Sequence, residues 1–198
     1  FMTKVLLMKD ADASEIYGSY TGLVYLTPLL GGYLCDKFLG NRRSIFIGGL
    51  LMAIGQFFMF FSASAGADGG VSLMWMGLTA IIIGNGFFKP NISTMVGQLY
   101  PANDRRIDSA FTIFYMGINL GAFFSPLVCG SMDFKWGFLA AGIGMLLGLV
   151  AFILGQKKYL ISEEGKEIGL PVKKLDAKSI AMIVGSIAII FFMLNFNQ

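Results

Sequence analysis

The chain of 198 residues is 56% hydrophobic and only 14% charged, and its mean hydropathy is +0.70. Because a typical soluble domain carries about 25% charged residues, this composition excludes an ordinary soluble domain. The net charge of +3 is too small and too dispersed to indicate nucleic-acid binding. The chain has no histidine, and it shows neither a nucleophile–base pair nor a metal-ligand cluster. We therefore expect no enzyme and no metal site.

Six apolar segments follow one another, each long enough to cross a bilayer, which takes about 20 residues. The segments are Glu15–Phe38, Ser44–Ser64, Ser72–Gln98, Asp108–Met132, Trp136–Leu160 and Lys178–Phe196. We expect the shorter apolar stretch 1–8 to be the end of a further helix. The pattern predicts an all-α integral membrane protein with six to seven transmembrane helices, the first of them truncated. Residues 1–160 would form an amino-terminal helical bundle, 161–177 a cytoplasmic connector and 178–198 a further transmembrane helix.

The distribution of Lys and Arg predicts the orientation, because positive residues are retained on the cytoplasmic side of a membrane. Eleven of the 15 fall in alternate loops near residues 37–43, 99–108 and 157–178, whereas two, Lys9 and Lys135, lie on the opposite side. We therefore predict that these three loops are cytoplasmic.

One lysine lies deep inside an apolar segment. An uncompensated charge at this depth costs about 3 kcal/mol or more, so Lys89 is expected to face a cavity or a partner. Asn85, Lys89 and Ser93 share one helix face by their spacing of four residues, which favours a wet cavity where the ammonium could bind a carboxylate. The alternative is a structural lysine paired with an acidic residue of a neighbouring helix.

Other polar residues lie at similar depth. The Tyr25 hydroxyl needs a polar partner near the middle of its helix. Asn119 shares a face with Tyr115, and its amide can both donate and accept hydrogen bonds; it could serve a site or join two helices. The spacing Gly18-x-x-x-Gly22 predicts close helix packing.

Two loops combine acidic and basic residues. The segment Gly32-x-x-x-Asp36-Lys37-x-x-Gly40-x-Arg42-Arg43 can form an ion-pair latch that differs between two conformations. A similar cluster, Asp104-Arg105-Arg106, occupies the next cytoplasmic loop. The simpler interpretation is that both clusters only fix the orientation, and both interpretations can hold together.

Three segments, in order along the chain, resemble one family. The segment Gly31–Arg43 resembles the peptide-transporter variant of the major facilitator loop motif, with its extra residue before the glycine. Phe111–Phe123 closely matches the second signature of the proton-dependent oligopeptide transporters, and Phe88–Ser93 is similar to their fourth-helix motif. The sequence therefore resembles the amino-terminal half of a member of that family and implies a partial major facilitator fold.

The resemblance implies proton-coupled symport of di- and tripeptides by alternating access across the inner membrane of a bacterium. It implies that H⁺ is the coupling ion and that no cofactor is needed. The implied partners are di- and tripeptides, protons and the lipid bilayer, and no nucleic acid is expected. Lys89, Asn119 and Tyr25 match the family's pocket residues, and Tyr20 is a further candidate. The positions that match the gating motif are Asp36, Lys37, Gly40, Arg42, Arg43, Arg105 and Arg106. The family's Glu-x-x-Glu-Arg motif and its second half have no counterpart here, so we expect the sequence to be part of a longer transporter.

Two alternatives remain from the sequence. A major facilitator carrier for another solute, such as nitrate or an organic anion, would use Lys89 equally well. A non-transporting membrane assembly component would use Lys89 only to pair with a neighbouring helix.

Overall fold

The computed structural model describes residues 1–101, 103–161, 165, 167–170, 181, 184–185 and 188. Its five long helices are α1 (Asp10–Leu34), α2 (Asn41–Ala65), α3 (Gly70–Gln98), α4 (Arg106–Gly130) and α5 (Phe134–Tyr159). A π-helical segment, Cys35–Leu39, follows α1, and a 3₁₀ turn, Gly66–Asp68, joins α2 to α3. The predicted all-α fold is confirmed. The predicted helix 178–198 and most of the predicted connector lie outside the described residues.

Four of the helices, α2 to α5, are long and apolar enough to cross a membrane. They begin within three residues of the predicted positions. Helix α1 is not among the four, because its tyrosines, threonines and glycines lower its hydropathy. It also begins at Asp10, earlier than predicted, since acidic residues such as Asp10 and Asp12 stabilise the positive end of a helix. The stretch 1–8 forms a hydrogen-bonded turn, in which the Val5 N–H donates to the Phe1 carbonyl at 2.8 Å.

Helix α3 lies at the centre and packs against α1 and α2, and α2 packs in turn against α5. Glycines permit the closest approaches. A Cβ at Gly48 of α2 would lie 2.6 Å from the Gly84 carbonyl oxygen of α3, and a Cβ at Gly31 of α1 would overlap the Gly86 carbonyl. The backbones of α1, α2 and α3 therefore touch directly.

The prediction of close packing at Gly18 and Gly22 is wrong for the described part of the chain. A Cβ at either position would meet no atom there within 4 Å. A spacing of small residues marks a face that allows close approach, but it does not fix which glycines of a helix meet a neighbour.

The apolar core lies mainly between α1, α2 and α3. Its buried side chains are Leu6, Ile16, Leu34, Phe38, Leu39, Met59, Met74, Trp75, Leu78, Ile82, Ile83 and Phe87. Helix α4 contributes no buried residue within the described part of the chain; it packs along α5 and contacts α3 less extensively.

Candidate functional site

The structure brings together two residues predicted for one site, Lys89 of α3 and Tyr25 of α1. The Lys89 Nζ lies 5.1 Å from the centroid of the Tyr25 ring, within the range of a cation–π interaction. Both side chains are exposed. Lys89 forms no ion pair with any described residue, so within this bundle its ammonium keeps its capacity to bind an anion.

Two hydrogen bonds between α1 and α3 hold the backbones beneath this pair. The Asn85 amide donates to the Val24 carbonyl at 3.0 Å, and the Thr27 hydroxyl donates to the Ile82 carbonyl at 3.2 Å. Asn85 lies one turn before Lys89, on the face expected to line a cavity. Its amide instead ties α3 to α1, which makes it a residue that positions Lys89.

Tyr20 lies on a different face of α1 from Tyr25. Five residues correspond to a rotation of about 140° around an α-helix. Tyr20 is half-buried against the apolar core and lines a cavity together with Tyr17 and residues of the 1–8 stretch. The structure therefore does not bring Tyr20 to the Lys89–Tyr25 pair.

Asn119 is exposed on α4 and lines a shallow groove with Thr112, Tyr115, Met116 and Leu120. At about 1.5 Å per residue, it lies about 20 Å from the start of α4, and Lys89 lies about 14 Å from the end of α3. Both residues therefore lie well inside their helices, but Asn119 makes no hydrogen bond to Lys89 or to another described residue.

The loop between α1 and α2 has a fixed backbone shape. Gly40 has φ +73° and ψ 157°, a conformation that favours glycine. Its N–H donates to the Cys35 carbonyl at 2.9 Å and closes the π-helical segment. Lys37 donates from Nζ to the Tyr33 hydroxyl at 2.8 Å. Asp36 is exposed and forms no ion pair with the described residues.

Arg42 binds the segment after α5, which overlaps the cytoplasmic connector predicted from the sequence. Its guanidinium forms an ion pair with Glu167 at 2.8 Å and donates to the Leu160 carbonyl at 2.6 Å. Its backbone N–H donates to the Gly169 carbonyl at 3.0 Å. Asp36 forms no ion pair with Arg42 or Arg43 in this structure, so the ion-pair latch predicted from the sequence is not formed in this conformation. Arg43 is exposed and faces α5.

Asp104 and Arg106 pair in the loop before α4. The Arg106 guanidinium donates to both Asp104 oxygens at 2.6–3.2 Å, and its backbone N–H donates to Oδ1 at 2.8 Å. These hydrogen bonds hold the pKa of the Asp104 carboxyl below its usual value. Arg105 is exposed.

A family model described as the POT family matches residues 42–191, which is most of the chain. The chain belongs to the POT family. Curated POT relatives agree: the chain is 38% identical over 169 residues to the Di-/tripeptide transporter of Lactobacillus helveticus and covers 33% of it with 79% of its own length. It is 40% identical over 182 residues to the Uncharacterized transporter YclF of Bacillus subtilis, where the coverage is 35% of the relative and 89% of this chain. The chain thus spans about a third of the length of these relatives.

Solved POT structures share the fold. One is a POT family transporter in complex with 5-aminolevulinic acid, with TM-score 0.79 and 35% identity, matching 96% of this chain and 38% of that one. Another is the peptide transporter POT in complex with sulfate, with TM-score 0.78 and 38% identity. The match covers 93% of this chain and 37% of that one. The five helices of this POT chain therefore adopt part of a transporter fold.

The sequence does not predict two contacts of this POT chain. Glu167 was overlooked because its partner, Arg42, lies 125 residues away. Asn85 was noticed, but its role between helices was not. No local pattern predicts either contact.

Proposed function

We propose that the protein is a proton-coupled symporter of di- and tripeptides, in which this chain forms the amino-terminal helical bundle. The observation that carries the proposal is the Lys89 ammonium, which no described carboxylate neutralises, placed beside Tyr25 within a POT helix. Relatives named di-/tripeptide transporters support it. The protein works by alternating access in the inner membrane of a bacterium, with H⁺ as coupling ion and no cofactor.

Lys89 binds the carboxylate of the peptide. An ammonium offers three donors, and hydrogen bonds between charged groups are about twice as strong as neutral ones. The Tyr25 ring restrains the ammonium from one side, while the two remain exposed to an incoming ligand.

Asn119 and the Tyr25 hydroxyl bind the backbone of the peptide next to Lys89, while Tyr20, on another face of α1, lines a separate cavity. An amide side chain complements a peptide bond because it both donates and accepts. Groups that bind only the backbone shared by all peptides do not contact the peptide's side chains, so we expect broad substrate specificity.

The cytoplasmic loops supply the gate. It comprises the residues Asp36, Lys37, Gly40, Arg42, Arg43, Arg105 and Arg106. The sequence predicts a cytoplasmic connector at residues 161–177 and a further transmembrane helix at residues 178–198. The contacts of Arg42 with Glu167, Leu160 and Gly169 support a coupling between this gate and the connector.

Uptake of a labelled dipeptide into liposomes tests the proposal with the full-length protein. An inward proton gradient should drive uptake in the wild type. Loss of a hydrogen bond to a charged group costs about 1.5–3 kcal/mol, so Lys89→Ala should reduce uptake at subsaturating peptide by about 10- to 150-fold. Lys135→Ala is the matched control, because Lys135 also lies over an aromatic ring, 5.5 Å from Trp136, but at the opposite end of α5 from the gate.

Unchanged uptake by Lys89→Ala would overturn the assignment of the site. If folded wild-type protein neither transports nor binds dipeptides, the proposed substrate is wrong. A carrier for another carboxylate or anion is then favoured, because an ammonium that pairs with no described carboxylate can donate to any such group, and a POT structure has been solved with 5-aminolevulinic acid. Competition between that solute and a dipeptide separates the two functions.

A further inference from the structure

A groove between α2 and α5 lies apart from the Lys89 site. Its lining residues are Arg42, Arg43, Phe46, Ile47, Phe152, Ile153 and Gln156, and its volume is about 270 Å³. Both helices are long and apolar enough to cross a membrane. The groove lies closer to the Arg42 end of α2 than the contact between Gly49 and the Leu149 side chain.

The lining of the groove changes from basic to apolar side chains along the axis of α2. Its four apolar side chains are half-exposed or exposed, whereas Arg42 and Arg43 lie in the first turn of α2. From Arg42 to Ile47 the axial rise is about 8 Å. This distance matches the passage from a lipid headgroup into the first part of the acyl chains. The volume accommodates that part of a lipid, and the rest would lie in the bilayer.

The polar end of the groove is strongly positive. Arg42 is compensated by Glu167, but Arg43 is exposed and forms no ion pair or hydrogen bond with the described residues. Lys157 and Lys158 follow Gln156 directly and are exposed. The amino-terminal end of α2 adds the positive end of its helix dipole. Arg43, whose charge no described residue compensates, lies in the first turn of α2 and opposes that dipole, so an anion bound there would relieve the repulsion.

We propose that this groove binds an acidic phospholipid, with its phosphate at Arg43 and Gln156 and its acyl chain along Phe46, Ile47, Phe152 and Ile153. Basic pockets between transmembrane helices on the cytoplasmic side suit acidic headgroups. The distribution of Lys and Arg predicts that this end of the groove is cytoplasmic.

Native mass spectrometry of the full-length protein tests the site. The protein is equilibrated with equal amounts of phosphatidylglycerol and phosphatidylcholine, and the ratio of the two in the singly lipid-bound species is measured. We expect wild type to prefer phosphatidylglycerol and Arg43→Gln to lower that ratio about fivefold, which corresponds to about 1 kcal/mol for one basic residue near a membrane surface. Arg43→Lys should retain the preference.

Arg105→Gln is the matched control, because Arg105 is an exposed arginine of the neighbouring loop outside the groove. An equal loss in Arg105→Gln would show that only overall charge matters and would overturn the proposal. Wild type without a preference, or an unchanged ratio in Arg43→Gln, would do the same. Glycerol phosphate at millimolar concentration should not displace the lipid; full displacement would assign the groove to a soluble anion instead.

Discussion

The contact between α2 and α3 at Gly48 provides a direct test of the packing. A Cβ at this position would lie 2.6 Å from the Gly84 carbonyl oxygen and 2.7 Å from the Phe88 nitrogen. Both are backbone atoms, so no side-chain rotation relieves the overlap. The helices would have to separate by about 0.8 Å to restore an ordinary van der Waals contact of 3.4 Å. Overpacking of this kind costs about 1–3 kcal/mol.

Gly32→Ala is the matched control for Gly48→Ala. Both glycines lie inside helical segments at similar distances from the Gly40 turn, and among the described residues a Cβ at Gly32 would meet only Pro90, at 3.8 Å. Both substitutions gain up to about 1 kcal/mol from the higher helix propensity of alanine. The difference between the two variants therefore isolates the overlap, and we expect Gly48→Ala to be less stable than Gly32→Ala by about 1–3 kcal/mol.

Thermal unfolding of the purified full-length protein in one detergent gives the comparison. The Tm of Gly48→Ala should lie several degrees below that of Gly32→Ala. Equal Tm values for the two variants would refute the close approach of α2 and α3.

Two further predictions concern the loops. Glu167→Gln removes the ion pair with Arg42. Because Glu167 is largely exposed, we expect this pair to stabilise the docked segment by about 0.2–1 kcal/mol. Hydrogen exchange at the Ile168 amide, which donates to the Leu160 carbonyl, should accelerate by up to about fivefold; unchanged exchange would contradict the docking of this segment. The carboxyl of Asp104 should titrate below the usual pKa of an aspartate, since Arg106 favours its charged form. The Asp104 turn is thus fully stabilised near neutral pH and loses that stabilisation as the pH falls through the lowered pKa. Infrared difference spectra against Asp104→Asn give the midpoint, and a midpoint at or above the usual pKa would refute the pairing.

The sequence predicts helices α2 to α5 well because each is a long apolar run bounded by charged, glycine-rich or proline-containing loops. The sequence also indicates Lys89 and Tyr25 as candidate site residues, because placing polar groups inside apolar membrane helices costs free energy. The π-helical turn at Cys35–Leu39 could not be predicted, since its hydrogen-bond pattern follows from how the Gly40 turn meets α2. The partner of Arg42 could not be predicted either, because several carboxylates were equally available along the chain.

The direct backbone contact of α1 with α3 has a consequence for ligand capture. A Cβ at Gly31 would overlap the Gly86 carbonyl, and hydrogen bonds from Asn85 and Thr27 cross the same boundary. Lys89 and Tyr25 therefore lie on two backbones that are already joined, so the spacing of their Cα atoms is set before any ligand arrives. An anion that bound at this pair would have to order the two side chains but not the two helices, which lowers the entropic cost of binding.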